Sequence, residues 1–167
     1  MNMPNTSTRA LADAVLGSMR ECLSFRLGTV DYGINLLDVQ EIRSFVQPTR
    51  IANAPRELLG LINLRGVVVP IFDLRLKLQC AEALYNDATV VIVLSLLNKV
   101  VGVVVDSVSD VVQLEPSCIQ PAPAIQSDDN TTFITGLATV DERMLILMDA
   151  ESLLSETGRS PSVASVH

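Results

Sequence analysis

Residues able to do chemistry are few in this chain, and they do not stand in sets. Its one histidine, His167, is the last residue, which removes Ser-His and Cys-His nucleophilic pairs, histidine-built metal sites and a phospho-accepting histidine. Cys22, Cys80 and Cys118 are far apart with no CxxC spacing, so they read as free thiols of a reducing compartment. No GxxxxGK[ST] or GxGxxG loop is present to cradle a nucleotide. No metal and no cofactor is expected. Carboxylates remain: Asp38 with Glu41, Asp106 with Asp110, and the adjacent Asp128 and Asp129. Paired carboxylates can hydrolyse by general acid and base catalysis, so a carboxylate-dependent enzyme is the competing reading. It needs a perturbed pair in a pocket, and Asp106 and Asp110 on separate exposed faces would dispose of it.

Arg65 stands apart from these. It interrupts the apolar run Leu61 to Phe72 beside Gly66, where a hairpin tip would hold its rigid guanidinium fork at the surface for a carboxylate or polar partner. The alternative is a solvated turn charge.

The elements that must position Arg65 are strands. Hydrophobic residues make up 49% of the 167-residue chain and aromatics only 4%, so the core is aliphatic, dominated by the Val, Leu and Ile that suit a pleated surface. Leu23, Phe25 and Leu27 alternate into a turn at Gly28 to Asp31, and Tyr32 to Leu36 returns, which predicts a hairpin. Asp38 to Ile42 predicts a helical turn or bend, Arg43 to Ile51 an extended segment, and Pro55 to Leu59 a short helical turn. A second hairpin is predicted over Leu61 to Leu64 and Val67 to Phe72, with Pro70 at an edge or bulge because it cannot donate to a ladder. Asp73 and Asp149 are each placed to cap a short helix. The apolar stretch Thr89 to Val105 reads as two buried strands about Asn98-Lys99 and not as a membrane span.

The chain also repeats itself. Leu59 to Leu74 matches Thr135 to Ala150, with Gly60 over Gly136 and Asp73 over Asp149. Tyr32 to Ile42 matches Val101 to Val111, with Gly33 over Gly102. Two similar β units in tandem are implied, each too small to bury its own faces, so they are expected to curl into five-stranded barrels and pack together. The expected boundaries are a polar N-terminal segment with a short helix (1–20), a body at 21–155 divided at about 30–87 and 88–150, and a disordered tail at 156–167. In the second copy Val140 to Arg143 replaces Leu64 to Val67, so an arginine beside a glycine turn belongs to the first copy alone.

A net charge of -7 without a basic stripe argues against nucleic acid. The N-terminus lacks the pattern of a signal peptide, so a cytoplasmic protein without direct membrane insertion is expected.

Gly60-Leu61-Ile62-Asn63-Leu64-Arg65-Gly66-Val67-Val68-Val69-Pro70-Ile71-Phe72-Asp73-Leu74-Arg75 resembles the signature of the CheW family, the coupling proteins of bacterial chemotaxis. Tyr32-Gly33-Ile34, Val39-Gln40-Glu41-Ile42, Val101 to Asp106 and Thr135-Gly136-Leu137 support it, and the likeness runs from about Cys22 to Leu154. The resemblance implies a mainly β protein of two SH3-like barrel subdomains without enzymatic activity. It implies an adaptor joining the cytoplasmic tip of chemoreceptors to the regulatory domain of the histidine kinase CheA, with further copies in rings of the array. Val39, Glu41, Arg65 and Val111 are carried over as the receptor-facing residues, with Glu41 and Arg65 expected to pair. The loop from Gln120 to Gln126, with Ile125 as its apolar tip, is the candidate kinase or ring contact, although the aromatic common there in the family is missing. CheW-like modules also occur inside CheA and beside the receiver domain of CheV. Since the chain ends soon after the second unit, a stand-alone adaptor is expected, with a module of another signalling array as the alternative.

Overall fold

The structure is a computed structural model that describes residues 21–78, 84–97, 99–121 and 133–154. The predicted N-terminal helix, Cys80, Ile125, the Asp128-Asp129 pair and the tail at 156–167 lie outside these residues.

Alternation and turn residues generate the first hairpin, in which β1 (Glu21–Leu27) and β2 (Val30–Asn35) run antiparallel with Leu27 opposite Val30. Asn35 then accepts from the Leu37 amide at 3.0 Å and caps a single 3-10 turn, Leu36–Asp38. The turn or bend expected at 38–42 ends there, because β3 (Val39–Ser44) finds a hydrogen-bonding partner in β6 (Val90–Leu96). At Pro55 the chain makes a turn closed by the Leu58 amide and not the expected helical turn. The second hairpin joins β4 (Leu58–Leu64) to β5 (Val67–Asp73). Pro70 lies one residue before β5 begins to pair with β7 (Lys99–Val105), so its missing N–H interrupts no ladder on that side. Asp73 caps α1 (Leu74–Lys77) by accepting from the Arg75 amide at 2.9 Å. The chain continues through β8 (Ser107–Gln113), β9 (Ile119–Pro121), β10 (Ile134–Val140) and β11 (Arg143–Met148), and residues 150–154 form α2 after Asp149.

These strands build two sheets, ordered β8-β1-β2-β11-β10-β9 and β3-β6-β7-β5-β4. The repeat explains both orders. In the sequence alignment β6 and β7 correspond to β1 and β2, β8 to β3, and β10 and β11 to β4 and β5. Each copy therefore places its leading hairpin in the other copy's sheet, an exchange within one chain. The expected division near residues 87 and 88 separates the two copies of the sequence but runs through both sheets. The sixth strand, β9, also has a counterpart: Thr49 bonds both ways to Leu61 at 2.9 Å where β9 pairs with β10. Through these links each sheet curls back on itself.

The repeated glycines follow from the exchange. Gly33 lies opposite Leu147 on the parallel strand β11, and Gly102 lies opposite Ile71 on the parallel strand β5. A β-carbon on Gly33 would stand 2.9 Å from Cys22 Sγ and 3.0 Å from Leu147 Cδ2. On Gly102 it would stand 2.9 Å from Val91 Cγ1 and 2.6 Å from Ile71 Cδ1. Cys22 aligns with Val91 and Leu147 with Ile71, so one crossing of side chains occurs twice.

Three apolar clusters result. Leu23, Phe25, Ile34, Ile92, Leu94, Val103 and Met148 belong to the core between the sheets. Cys22, Ala138, Leu145 and Leu147 fill the inside of the first curl, and Leu64, Val69, Ile71, Val91, Val93 and Val104 that of the second. β6 and β7 face a core on both sides, which explains their unbroken apolar runs.

Candidate functional site

Arg65 and Gly66 form the tip of the β4–β5 hairpin with φ of 53° and 91°, the backbone of a two-residue type I′ turn. Asn63 fixes the tip by accepting from the Gly66 amide at 2.8 Å. The guanidinium projects from this rigid base, with 65% of its side chain exposed, and Nη2 donates to Glu41 Oε2 on β3. That hydrogen bond holds the Glu41 carboxyl below its usual range against partial desolvation, and the bond from Gln40 and the charge of Arg43, 3.6 Å away, add to the effect. The expected pairing of Glu41 with Arg65 is present, and it ties one end of the second sheet to the other.

The remaining carried-over residues are placed differently. The β3–β6 register slips between Val39 and Glu41. Val39 and Ile42, opposite Leu94 and Ile92, consequently share the face turned to the inter-sheet core, while Glu41 and Arg43, opposite Val93 and Val91, share the other face. Val39 is half-buried and packs on that core. Val111 stands on β8 in the first sheet, exposed and opposite Leu23. Gln120 is exposed on β9 opposite Leu137.

Two features escaped the sequence reading. Asp110 aligns with Glu41 in the repeat, and it too has an arginine, with Arg143 Nη2 lying 3.6 Å from its Oδ1. The arginine has moved from the tip, occupied here by Asp141 and Glu142, into the following strand. The second copy thus repeats the charge pair, and only the glycine-turn setting is unique to the first. The other feature is Arg75, which is 1% exposed. Its Nε and Nη2 grip Asp73 at 3.0 and 2.9 Å, while Nη1 donates to Asp106 and to the Leu84 carbonyl, each at 2.7 Å. Tyr85 lies under the guanidinium, 4.8 Å from ring centre to Cζ, and its hydroxyl donates to Asp73 at 2.6 Å. Burial opposes the charge on Arg75, but the two carboxylates outweigh it and hold the guanidinium above its ordinary range. A short helix with Arg75 in its last turn reads as solvent-facing, and nothing in the spacing places Asp106 beside it.

Among the described residues, most carboxylates of the candidate acid and base pairs have other partners, and Asp128 with Asp129 lies outside those residues. Asp106 is engaged by Arg75 and by the Gly28 amide at 2.6 Å, and Asp110 by Arg143. Asp38 is pushed up by burial and by the charges of Asp149 and Glu151, while Glu41 faces Arg65. Among the described residues no cluster of three or more His, Cys, Asp or Glu could hold a metal ion, and no helix is long and apolar enough to cross a membrane.

Comparison with known proteins agrees with this architecture. The family model described as CheW-like domain matches residues 21–158. A chemotaxis protein CheW of Klebsiella aerogenes is 50% identical over 150 residues, covering 89% of this chain and 90% of the relative. A probable chemotaxis protein CheW of Rhizobium etli is 41% identical, over 83% of this chain and 89% of its own. The crystal structure of the scaffolding protein TtCheW from Thermoanaerobacter tengcongensis superposes with a TM-score of 0.72 at 29% identity, covering 77% of this chain and 88% of that one. With its paired sheets, its hairpin tip and this agreement along the length of the body, the chain belongs to the CheW family, whose members serve chemotaxis as scaffolds.

Proposed function

We propose that this chain is a non-enzymatic adaptor that couples the cytoplasmic tips of chemoreceptors to the histidine kinase CheA, at the inner face of the membrane in receptor arrays. The observation that carries the reading is Arg65: exposed, raised on a rigid turn and aimed by Glu41. A fixed guanidinium beside apolar strand residues suits the face of a helix that carries a carboxylate or polar group. Val39 and Val111 would supply apolar support for that face, Val39 through the core it packs on. Gln120, with Ile125 beyond it, is the proposed kinase or ring contact, which other copies of the chain could share.

Co-sedimentation tests the reading. Receptor-bearing membranes and CheA should retain the protein and place the kinase under receptor control, while Arg65→Glu or Glu41→Lys should lower retention at least tenfold with little change in thermal unfolding. Full retention and control by folded variants of both kinds would refute the assignment.

A further inference from the structure

The two most exposed large apolar side chains among the described residues stand at one end of the molecule. Leu37 is 84% exposed on the 3-10 turn before β3, and Leu97 is 85% exposed where β6 gives way to β7. Glu151 on α2 links them. Its Oε2 accepts from the Leu97 amide at 3.0 Å. Burial, with the charges of Asp149 and Glu151, pushes up Asp38, the residue next to Leu37. The strand register agrees, because β3 runs antiparallel to β6 with Val39 opposite Leu94, so the residues before Val39 run alongside the end of β6. Single exposed leucines are ordinary on a protein surface, but two beside one group of carboxylates form a patch suited to a covering segment.

The chain supplies such a segment beside the patch. β1 opens at Glu21, and Cys22 lies opposite Asn35, the cap of the 3-10 turn that carries Leu37. Residues 1–20 lie outside the described residues and join the body at this point. Their sequence sets Leu11, Val15 and Met19 at four-residue spacing, one stripe of a helix, and so short a helix needs a surface to pack on. At about 1.5 Å per residue the stripe runs ~12 Å. The segment carries Arg9 and Arg20 against Asp13 alone, a basic stretch in a chain of net charge -7. Eleven positions apart, the two arginines fall on one flank of that helix, three turns from each other.

We propose that the N-terminal segment folds back on the body as a helix and covers this patch, with Met19 over Leu37 and with Val15 and Leu11 extending to Leu97. The flank that carries Arg9 and Arg20 then turns toward Asp38, Asp149 and Glu151, where opposite charge fixes which way round the helix lies.

The chain has no tryptophan, so Leu97→Trp installs a single reporter on the patch. Acrylamide quenching of its emission is compared in the otherwise unaltered full chain and in a chain that adds Leu11→Ser, Val15→Ser and Met19→Ser, each at high and low protein concentration. A quenching constant lower by about threefold or more in the first chain, unchanged on dilution, supports the cover. Equal constants or a smaller gap overturn it. Shielding that is lost on dilution overturns it as well and makes a second copy of the chain the occupant. A double-mutant cycle without tryptophan gives an independent check. Val15→Ser and Leu97→Ser should each lower the urea midpoint, and together they should lower it no further than the larger single effect; additive losses, or none, overturn the contact.

Discussion

The guanidinium of Arg75 reaches Asp106 at 2.7 Å across the junction where the first copy of the repeat meets the second. Asp106 in turn receives the Gly28 amide from the tip of the exchanged first hairpin. One buried cation therefore fixes the end of β5, the entry to β6 through Leu84 and Tyr85, the β7–β8 corner and the β1–β2 turn.

Removing that cation leaves two carboxylates without their partner. Arg75→Met is expected to destabilise the fold by about 3–5 kcal/mol, the usual consequence of breaking a buried pair from one side. Tyr85→Phe, which removes only the hydroxyl bond to Asp73, is expected to cost about 1–2 kcal/mol. Urea midpoints for both variants, at unchanged denaturant slope, check the order; equal midpoints would mean that the Asp73 bond and the ion pairs are not separable in this way.

Tyr85 should titrate late. Burial and its bond to Asp73 push the hydroxyl up to about 12 from an ordinary 10.0. Since the folded value is the higher one, the unfolded chain loses this proton first, and stability contributed here is complete below pH 10, then lost as the pH rises toward 12. Tyrosinate absorbance of the wild type minus that of Tyr85→Phe should show the late midpoint, and a midpoint near 10 would contradict the hydroxyl bond.

The paired glycines should respond unequally. Gly102→Ala sets a methyl group 2.9 Å from a branched Val91 carbon and 2.6 Å from Ile71 Cδ1, and should cost about 1–3 kcal/mol. Gly33→Ala meets the ends of Cys22 and Leu147 at 2.9 and 3.0 Å and should cost less. Thermal unfolding of the two variants ranks them; the reverse order would remove the side-chain crossing as the reason for glycine.

Ser24 breaks the repeat in the opposite sense. It is fully buried and its hydroxyl has no hydrogen-bond partner among the described residues, whereas the aligned residue is Val93. Ser24→Ala is expected to raise stability by up to about 1 kcal/mol by deleting an unpaired polar group. A clear loss in the urea midpoint would show that the hydroxyl is bonded after all.

The hairpins were legible because they are local: alternation and turn residues such as Arg65-Gly66 act over a few positions. The exchange of hairpins was not, since β1 and β6 read alike and the choice of sheet is made by pairing across many tens of residues. The strand at 39–44 shows the same limit. Its residues permit a bend, and only the open edge of β6 makes them a strand. At the candidate site Arg65 stood out by interrupting an apolar run beside Gly66, and the family resemblance added Glu41 as its partner. It missed the Asp110–Arg143 pair because the arginine had shifted along its hairpin, although the repeat already laid Asp110 over Glu41.

The exchange of hairpins also sets the order in which the chain can acquire its shape during synthesis. When the ribosome has released the first 87 residues, β1 and β2 exist without either strand that flanks them in the sheet, and β3 to β5 exist without the two strands that bridge them. Neither curl can close until the other half emerges, so a large part of the backbone pairing spans long loops and carries their closure entropy. Cutting the chain between the copies would yield two fragments that complete each other only by meeting, because each sheet draws strands from both.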